Sequence, residues 1–224
     1  MGRPLRLGPR ATIAAFAVAV LALMTMPVCW AITGQEILGK SAALYQGVRD
    51  YTCRVTVQTD FPKVRMPTRT FTVYFKKPDK VRVESGGQLV MVPRDILLFG
   101  NFERHLKDEA KIVLAGTNTR AGRKLYFLKV LPRERGAPDR VLLWIWGDTW
   151  TIKRSEIWRR DAKILTADWE HKACGRYLMP LRVVCKVTGG RMAEKGSGTI
   201  KVDFAGWKVN SGLADSLFAQ ESKK

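Results

Sequence analysis

The chain has 224 residues, a formal net charge of +19, four cysteines and two histidines. This length suits one domain with a sizeable core. The low cysteine content excludes a small disulfide-stabilised scaffold, and the absence of a Cys-x-x-Cys pair leaves no zinc-site pattern.

The first predicted element is a secretory signal peptide over residues 1–31. Three arginines precede the apolar run Ala11–Met26, and Cys29-Trp30-Ala31 offers small residues at the −3 and −1 positions of a cleavage site. Val28 before Cys29 does not match a lipoprotein cleavage site. The alternative is an uncleaved N-terminal anchor, although the apolar run is short for a bilayer span. We therefore expect a protein that works outside the cytosol.

The signal peptide changes how the positive charge is interpreted. In the cytosol such a charge would indicate nucleic acid as a partner. Outside the cytosol the expected partners are an anionic membrane surface, envelope polyanions or an acidic patch on a donor or acceptor protein. We therefore predict no nucleic-acid partner. The alternative is a basic surface that only maintains solubility.

A helix is predicted directly after the signal peptide. Thr33 and Glu36 form a T-x-x-E capping box, and apolar residues such as Ile37 and Tyr45 follow at helical spacing on one face. The helix is expected to end at Gly47 or Asp50.

Gly34–Ser41 also matches the phosphate-binding pattern G-x-x-x-x-G-K-S. That loop needs a strand before it and a helix after it, so that backbone N–H groups converge on a phosphate. Here a signal peptide precedes the segment, and the segment belongs to the amphipathic helix. We therefore do not predict a nucleotide site.

After the helix, apolar and polar residues alternate, which is typical of strands with one buried face. The first three strands are predicted over Tyr51–Gln58, Thr70–Lys76 and Lys80–Glu84. Further strands are predicted over Gln88–Val92, Asp95–Phe99, Lys124–Leu131, Val141–Trp146, Trp150–Trp158, Ile164–His171, Tyr177–Val187 and Ser197–Phe204. Glu103–Leu114 fits either a strand and loop or a short helix over Lys107–Ile112, and Gly116–Gly122 is predicted to be a loop. The pattern indicates a mainly β, single-domain protein over residues 32–224, built on a meandering antiparallel sheet in the form of an open or closed barrel.

No set of side chains with catalytic spacing is found. The chain has no G-x-S-x-G motif, and His105 and His171 are isolated, so each is expected to be a surface or satisfied residue and not a catalytic base. We therefore predict no enzymatic activity, no catalytic residues, no metal and no cofactor. Cys53, Cys174 and Cys185 allow one disulfide with three pairings, and Cys53 is expected to be a buried small hydrophobe.

Two segments are similar to a known family. Phe75–Glu84 is a strand, a Pro turn and a strand that carries Arg82, and Asn210–Phe218 reads N-x-G-L-x-D-x-x-F. The hairpin over Leu143–Arg154 and the P-x-R strand at Met179–Arg182 have a similar layout. Over most of residues 35–218 the chain resembles the LolA-like family of outer-membrane lipoprotein-sorting proteins, whose broader circle includes LolB and RseB.

The resemblance implies a half-open antiparallel β-barrel that wraps around an N-terminal helix or lid, with a concave apolar face that holds acyl chains. Alternation assigns most of the inward positions, whereas the side of the two tryptophans stays undecided because Leu143 and Ile145 are also apolar. The predicted cavity residues are Val55, Val57, Phe71, Val73, Phe75, Val81, Val83, Trp144 and Trp146. Arg82 is a candidate headgroup or lid contact, and the alternative is an ordinary surface charge.

These expectations describe a monomeric periplasmic carrier that binds acyl chains of lipids or lipoproteins and transfers them across the envelope to the outer membrane. Its further partners would be a membrane donor or acceptor protein and an anionic membrane surface. One alternative is a sensor or scaffold module of the RseB type that binds a protein. Another is a membrane-tethered acceptor, if the N-terminus is uncleaved.

Overall fold

The computed structural model describes residues 32–62, 66–86, 110–133, 138–190, 193 and 196–223. The predicted signal peptide, the predicted strands Gln88–Val92 and Asp95–Phe99, and His105 lie outside the described residues. Within the described part, no helix is long and apolar enough to cross a bilayer.

The helix α1 covers Gly34–Ala43 and begins where the capping box predicts. The backbone nitrogen of Glu36 donates to Oγ1 of Thr33 at 3.2 Å, and the Thr33 nitrogen donates to the Glu36 carboxylate at 2.7 Å. Regular helix ends earlier than predicted, at Ala43, and hydrogen-bonded turns continue the chain to Val48. Because Gly34–Ser41 is helical, the phosphate-binding loop does not form.

Ten strands follow in chain order within the described residues. They are β1 (Asp50–Asp60), β2 (Arg69–Lys76), β3 (Lys80–Glu84), β4 (Ala110–Arg120), β5 (Arg123–Pro132), β6 (Arg140–Trp146), β7 (Ile152–Arg159), β8 (Ala162–Cys174), β9 (Tyr177–Val187) and β10 (Gly198–Val209). A short 3₁₀ helix over Asp215–Lys223 ends the described chain.

The strands form one antiparallel sheet in the order β3-β2-β1-β10-β9-β8-β7-β6-β5-β4. All consecutive strands pair except β3 and β4, and β10 also returns to pair with β1. The edge strands β3 and β4 do not pair with each other, so the sheet is open. Over the described residues the fold is therefore an open antiparallel β-barrel with one α-helix, and the predicted fold class is confirmed.

The edge strand β4 corrects one expectation. Residues 116–120 continue β4 rather than forming a loop, and a two-residue turn at Ala121 and Gly122 connects β4 to β5. Both turn residues have positive φ, 51° and 73°, which matches the twist that two-residue hairpins need.

Residues that lie opposite each other on neighbouring strands share a face of the sheet. One such row crosses six strands through Ile200, Cys185, Ala167, Ser155, Leu143 and Leu128. The neighbour of Ile200 on β1 is Thr59, which alternation places with Val55 and Val57. We call this side the inner face, because Tyr45 and Val48 after α1 pack against it.

Candidate ligand-binding face

Strands β1 to β3 bring seven of the predicted cavity residues together on the inner face. Val55 and Val73 are fully buried, and Val81 and Val83 on the edge strand are half-buried. They belong to one apolar cluster with residues of β9 and β10, among them Val183, Val202 and Phe204. Their role in binding a ligand stays a prediction.

The inner face continues across the other half of the sheet. Leu128, Leu143 and Ile145 on β5 and β6 are completely buried. Beside them the Tyr126 ring stacks on Trp150 with centroids 5.8 Å apart. The inner side of the sheet is therefore mainly apolar from β2 to β5, with Thr59 and Ser155 among its polar positions.

The helix α1 packs closely against the edge strand β4 at Gly34. A Cβ on Gly34 would lie 3.0 Å from the backbone nitrogen of Leu114 and 3.1 Å from a methyl group of Ile112. Further along the helix, the Lys40 ammonium lies 4.7 Å from the centroid of the Trp150 ring. The helix α1 therefore packs closely on β4 at Gly34, and Lys40 contacts the β6–β7 turn through a cation–π interaction.

Four titratable side chains near the inner face, Tyr45, Tyr51, Cys53 and His171, are uncharged at neutral pH. Burial raises the pKa values of Tyr45, Tyr51 and Cys53, and it lowers the pKa of His171 to about 4. The described residues contain no group of three or more His, Cys, Asp or Glu side chains that could hold a metal ion. This face can solvate an apolar chain, because it presents little charge that would have to be desolvated.

The register of β6 corrects the placement of the two tryptophans. Trp144 lies opposite Phe127 on one side and Arg154 on the other, on the face away from Leu143. Alternation puts Trp146 on that same outer face. Neither tryptophan lines the inner face, because β6 is apolar on both sides and its inner positions are held by Val141, Leu143 and Ile145.

Arg82 makes hydrogen bonds to the C-terminal segment and to a neighbouring side chain of β3. Its Nη1 donates to the carbonyl oxygen of Leu217 at 2.8 Å, and its Nη2 donates to Glu84 at 2.8 Å. Nearby, Asp215 pairs with Lys76 and Lys80, at 2.9 Å in each case. Arg82 therefore helps to fix the C-terminal segment against β2 and β3.

Two residues that hold the same segment were missed by the sequence reasoning. The buried Asp50 carboxylate accepts hydrogen bonds from the backbone nitrogens of Ser211 (2.7 Å) and Gly212 (3.1 Å). Asn210 donates from Nδ2 to the carbonyl of Gly47 and to the hydroxyl of Tyr177. The N-x-G pattern was visible in the sequence, but its distant partners were not.

Solved structures share this architecture. A LolA superfamily protein from Nitrosomonas europaea matches with a TM-score of 0.62 at 15% identity, over 84% of this chain and 98% of that one. A DUF1329 family protein from Desulfovibrio piger also scores 0.62 at 15% identity, over 83% and 95%. A putative outer membrane lipoprotein-sorting protein domain from Vibrio parahaemolyticus scores 0.62 at 12% identity, over 83% and 95%.

No family model matches the chain, and no curated protein matches it. At 12–15% identity the structural likeness establishes the fold, which is LolA-like.

Proposed function

We propose that this protein is a non-enzymatic carrier that binds acyl chains of lipids or lipoproteins on the inner face of its open sheet. The observation that carries the proposal is the mainly apolar inner face of a sheet whose edge strands β3 and β4 are not paired. An unpaired edge leaves the barrel a route for widening that a closed barrel lacks.

The energetics of an acyl chain fit such a face. Removing one CH₂ group from water stabilises the complex by about 0.8 kcal/mol, so a chain of ordinary length needs no polar contact for binding. A carrier must also release its cargo. Contacts of modest strength, such as the one between Lys40 and Trp150, hold the helix while allowing it to move.

The site of action in this proposal is the periplasm. The N-terminal sequence has the layout of a signal peptide, and one protein with the same fold is titled a putative outer membrane lipoprotein-sorting protein domain. The cargo would travel between a membrane donor and an acceptor at the outer membrane. The strongly basic surface would attract the carrier to anionic membranes or to acidic partner proteins.

The first test is native mass spectrometry of the protein purified gently from the envelope fraction of its own cells, followed by solvent extraction of bound material. The proposal expects a co-purifying lipid or acylated peptide. A clean unliganded mass, together with no uptake of a fluorescent fatty-acyl probe, would contradict it and favour a protein-binding module.

A pair of substitutions locates the binding face. Val83→Asp places a carboxylate on the half-buried inner side of β3, opposite Val73, and should reduce probe uptake at least tenfold. The control Thr70→Asp adds the same charge on an exposed outer position of β2 and should leave uptake unchanged. Equal effects of both substitutions would refute binding on the inner face.

A further inference from the structure

The outer face of β5 and β6 is unusual for the wet side of an antiparallel sheet. It carries Phe127, Leu142, Trp144 and Trp146, all half-buried rather than covered. The rings of Phe127 and Trp144 stack with centroids 4.8 Å apart. We call these four residues the outer aromatic patch.

The indole N–H groups of the outer aromatic patch indicate that its natural environment contains hydrogen-bond acceptors. Among the described residues, neither Trp144 nor Trp146 has a hydrogen-bond partner for its indole nitrogen, whereas Trp158 donates to Glu156 and Trp207 to a carbonyl. An amphipathic ring with a free donor is typical of the region between bilayer headgroups and acyl chains.

Cationic side chains border the outer aromatic patch. The Arg123 guanidinium lies 4.1 Å from the centroid of the Trp146 ring, and its side chain is 41% exposed. Arg123 is paired with Asp148, and Arg154 makes two hydrogen bonds to Asp168 at 2.8 and 2.9 Å. These carboxylates are therefore already neutralised.

Next to the patch lies an open depression of about 400 Å³. Leu125 and Trp144 line it, and the rest of the lining is polar: Asn118, Thr119, Arg120, Lys153 and the ion pair of Arg154 with Asp168. In the part of the chain that the structure describes, Arg120 and Lys153 have no carboxylate within ion-pairing distance. The depression thus has a mostly polar lining with two apolar side chains, Leu125 and Trp144, and it carries two positive charges without an ion-pair partner among the described residues. This combination is complementary to a phosphate attached to an apolar body.

We propose that the outer aromatic patch docks this protein on an anionic lipid bilayer, and that the depression beside it receives a lipid phosphate. Lysine and arginine side chains supply long-range attraction to the anionic surface. The tryptophans then lie at the interface, where both the ring and its N–H are solvated. Docking uses the face opposite to the cargo face, so it does not depend on the proposed carrier function.

The test measures co-sedimentation with vesicles of phosphatidylglycerol and phosphatidylcholine in equal parts, and with vesicles of phosphatidylcholine alone. Every variant is the full chain as the expressing cell processes it, so all variants share the same N-terminus. The double substitution Arg120→Glu with Lys153→Glu should weaken binding to the anionic vesicles at least about 25-fold, since each basic residue near the surface contributes about fivefold.

The control Arg54→Glu with Lys186→Glu makes the same change in net charge at exposed positions on β1 and β9. It should weaken binding less than fivefold. An equal loss in both doubles would show that net charge alone is responsible and would overturn the proposal. The same conclusion would follow if the parent protein bound neutral vesicles as tightly as anionic ones, or bound neither.

A second variant tests the aromatic part. Trp146→Thr keeps a residue that favours strands and should abolish the fraction of binding that survives in high salt, with little change in the thermal midpoint. Unchanged salt-resistant binding would overturn the role of the patch. Uptake of the fluorescent acyl probe should be unaffected in all outer-face variants, so a failure of docking is distinguishable from a failure of the carrier proposal.

Discussion

The side-chain oxygen of Asn210 accepts a hydrogen bond from the backbone nitrogen of Arg49 at 2.7 Å, although 161 residues separate them. The amide nitrogen of Asn210 donates to the carbonyl of Gly47 at 2.8 Å and to the hydroxyl of Tyr177 at 3.1 Å. One side chain therefore joins the end of β10 to the start of β1 and to β9, at the point where the C-terminal segment leaves the sheet.

We predict that Asn210→Gly lowers the free energy of unfolding by about 2–3 kcal/mol, because each lost hydrogen bond contributes about 0.5–1.5 kcal/mol. Asn210 has a positive φ of 57°, and glycine tolerates that backbone, so the loss would come from the side chain. The measurement is the urea midpoint. As a control, Ala121→Gly also places glycine at a positive φ, 51°, and should be neutral or slightly stabilising. Equal destabilisation by both would contradict the assigned role.

The two glycines of α1 give a second, matched prediction. Gly34→Ala should destabilise the protein by about 1–3 kcal/mol through overpacking, because its Cβ would lie 3.0 Å from the backbone of Leu114, which cannot rotate away. A Cβ on Gly39 would meet no described atom within 4 Å, so Gly39→Ala should stabilise by about 0.5–1 kcal/mol. Thermal unfolding of both variants measures whether each substitution lowers or raises the thermal midpoint. Stabilisation by both would mean that α1 does not pack closely on β4 in solution.

The sequence predicted the strands that have one buried and one solvated face. It left the first half of the mostly exposed β4 open between strand and helix and predicted a loop for the second half. The alternation in β1 and β2 follows directly from one buried and one solvated face, and both strands lie within two residues of their predicted bounds. In β4, residues 117–120 are exposed and polar, so the composition resembles a loop. The turn that would have indicated a hairpin places Ala121, not glycine or asparagine, at positive φ.

Other features could not be read from local patterns for a different reason. Strand β6 is apolar on both faces, so only its register with β5 and β7 decides that Trp144 points outward. The role of Arg82 depends on a carbonyl 135 residues away. Contacts of this kind are set by the tertiary arrangement of the strands and the C-terminal segment, and a periodicity of two residues carries no information about them.

Cysteine reactivity gives a third prediction. Cys53 and Cys185 are buried and free, whereas the free Cys174 is only half-buried. Burial raises the pKa of the Cys185 thiol to about 11, so at pH 8 only about one thousandth of it is thiolate. Burial also raises the pKa of Cys53. Iodoacetamide should therefore alkylate Cys174 first in the native protein, and the other two only in denaturant.

Peptide mapping by mass spectrometry assigns the label to each position. Denaturation in the presence of iodoacetamide is the control, and it should modify all three thiols at similar rates. A disulfide-linked peptide from the native protein, or labelling of Cys53 as fast as Cys174, would contradict the three free thiols of the structure.

The stability of the protein should decrease as the pH is lowered, because of His171. Its ring stacks on Trp169 with centroids 6.5 Å apart, and burial lowers its pKa from 6.5 to about 4. Between these values the unfolded chain binds a proton that the folded protein does not bind, so the stabilising effect of the neutral ring is complete above pH 6.5 and is lost as the pH falls towards 4. The loss is at most about 3–4 kcal/mol, since one pKa unit corresponds to about 1.4 kcal/mol.

The measurement is the free energy of unfolding from urea titrations between pH 4 and 7, compared with His171→Asn, which cannot take up a proton in this range. The difference between the two proteins gives the contribution of His171 to the pH dependence of the free energy of unfolding. The carboxylates of Asp148 and Asp215 do not mimic it, because the Arg123 and Lys76 contacts hold their pKa values at about 2. Parallel pH dependences in the parent and the variant would mean that the imidazole is solvated in the folded state, and that the inner face admits water at this end of β8.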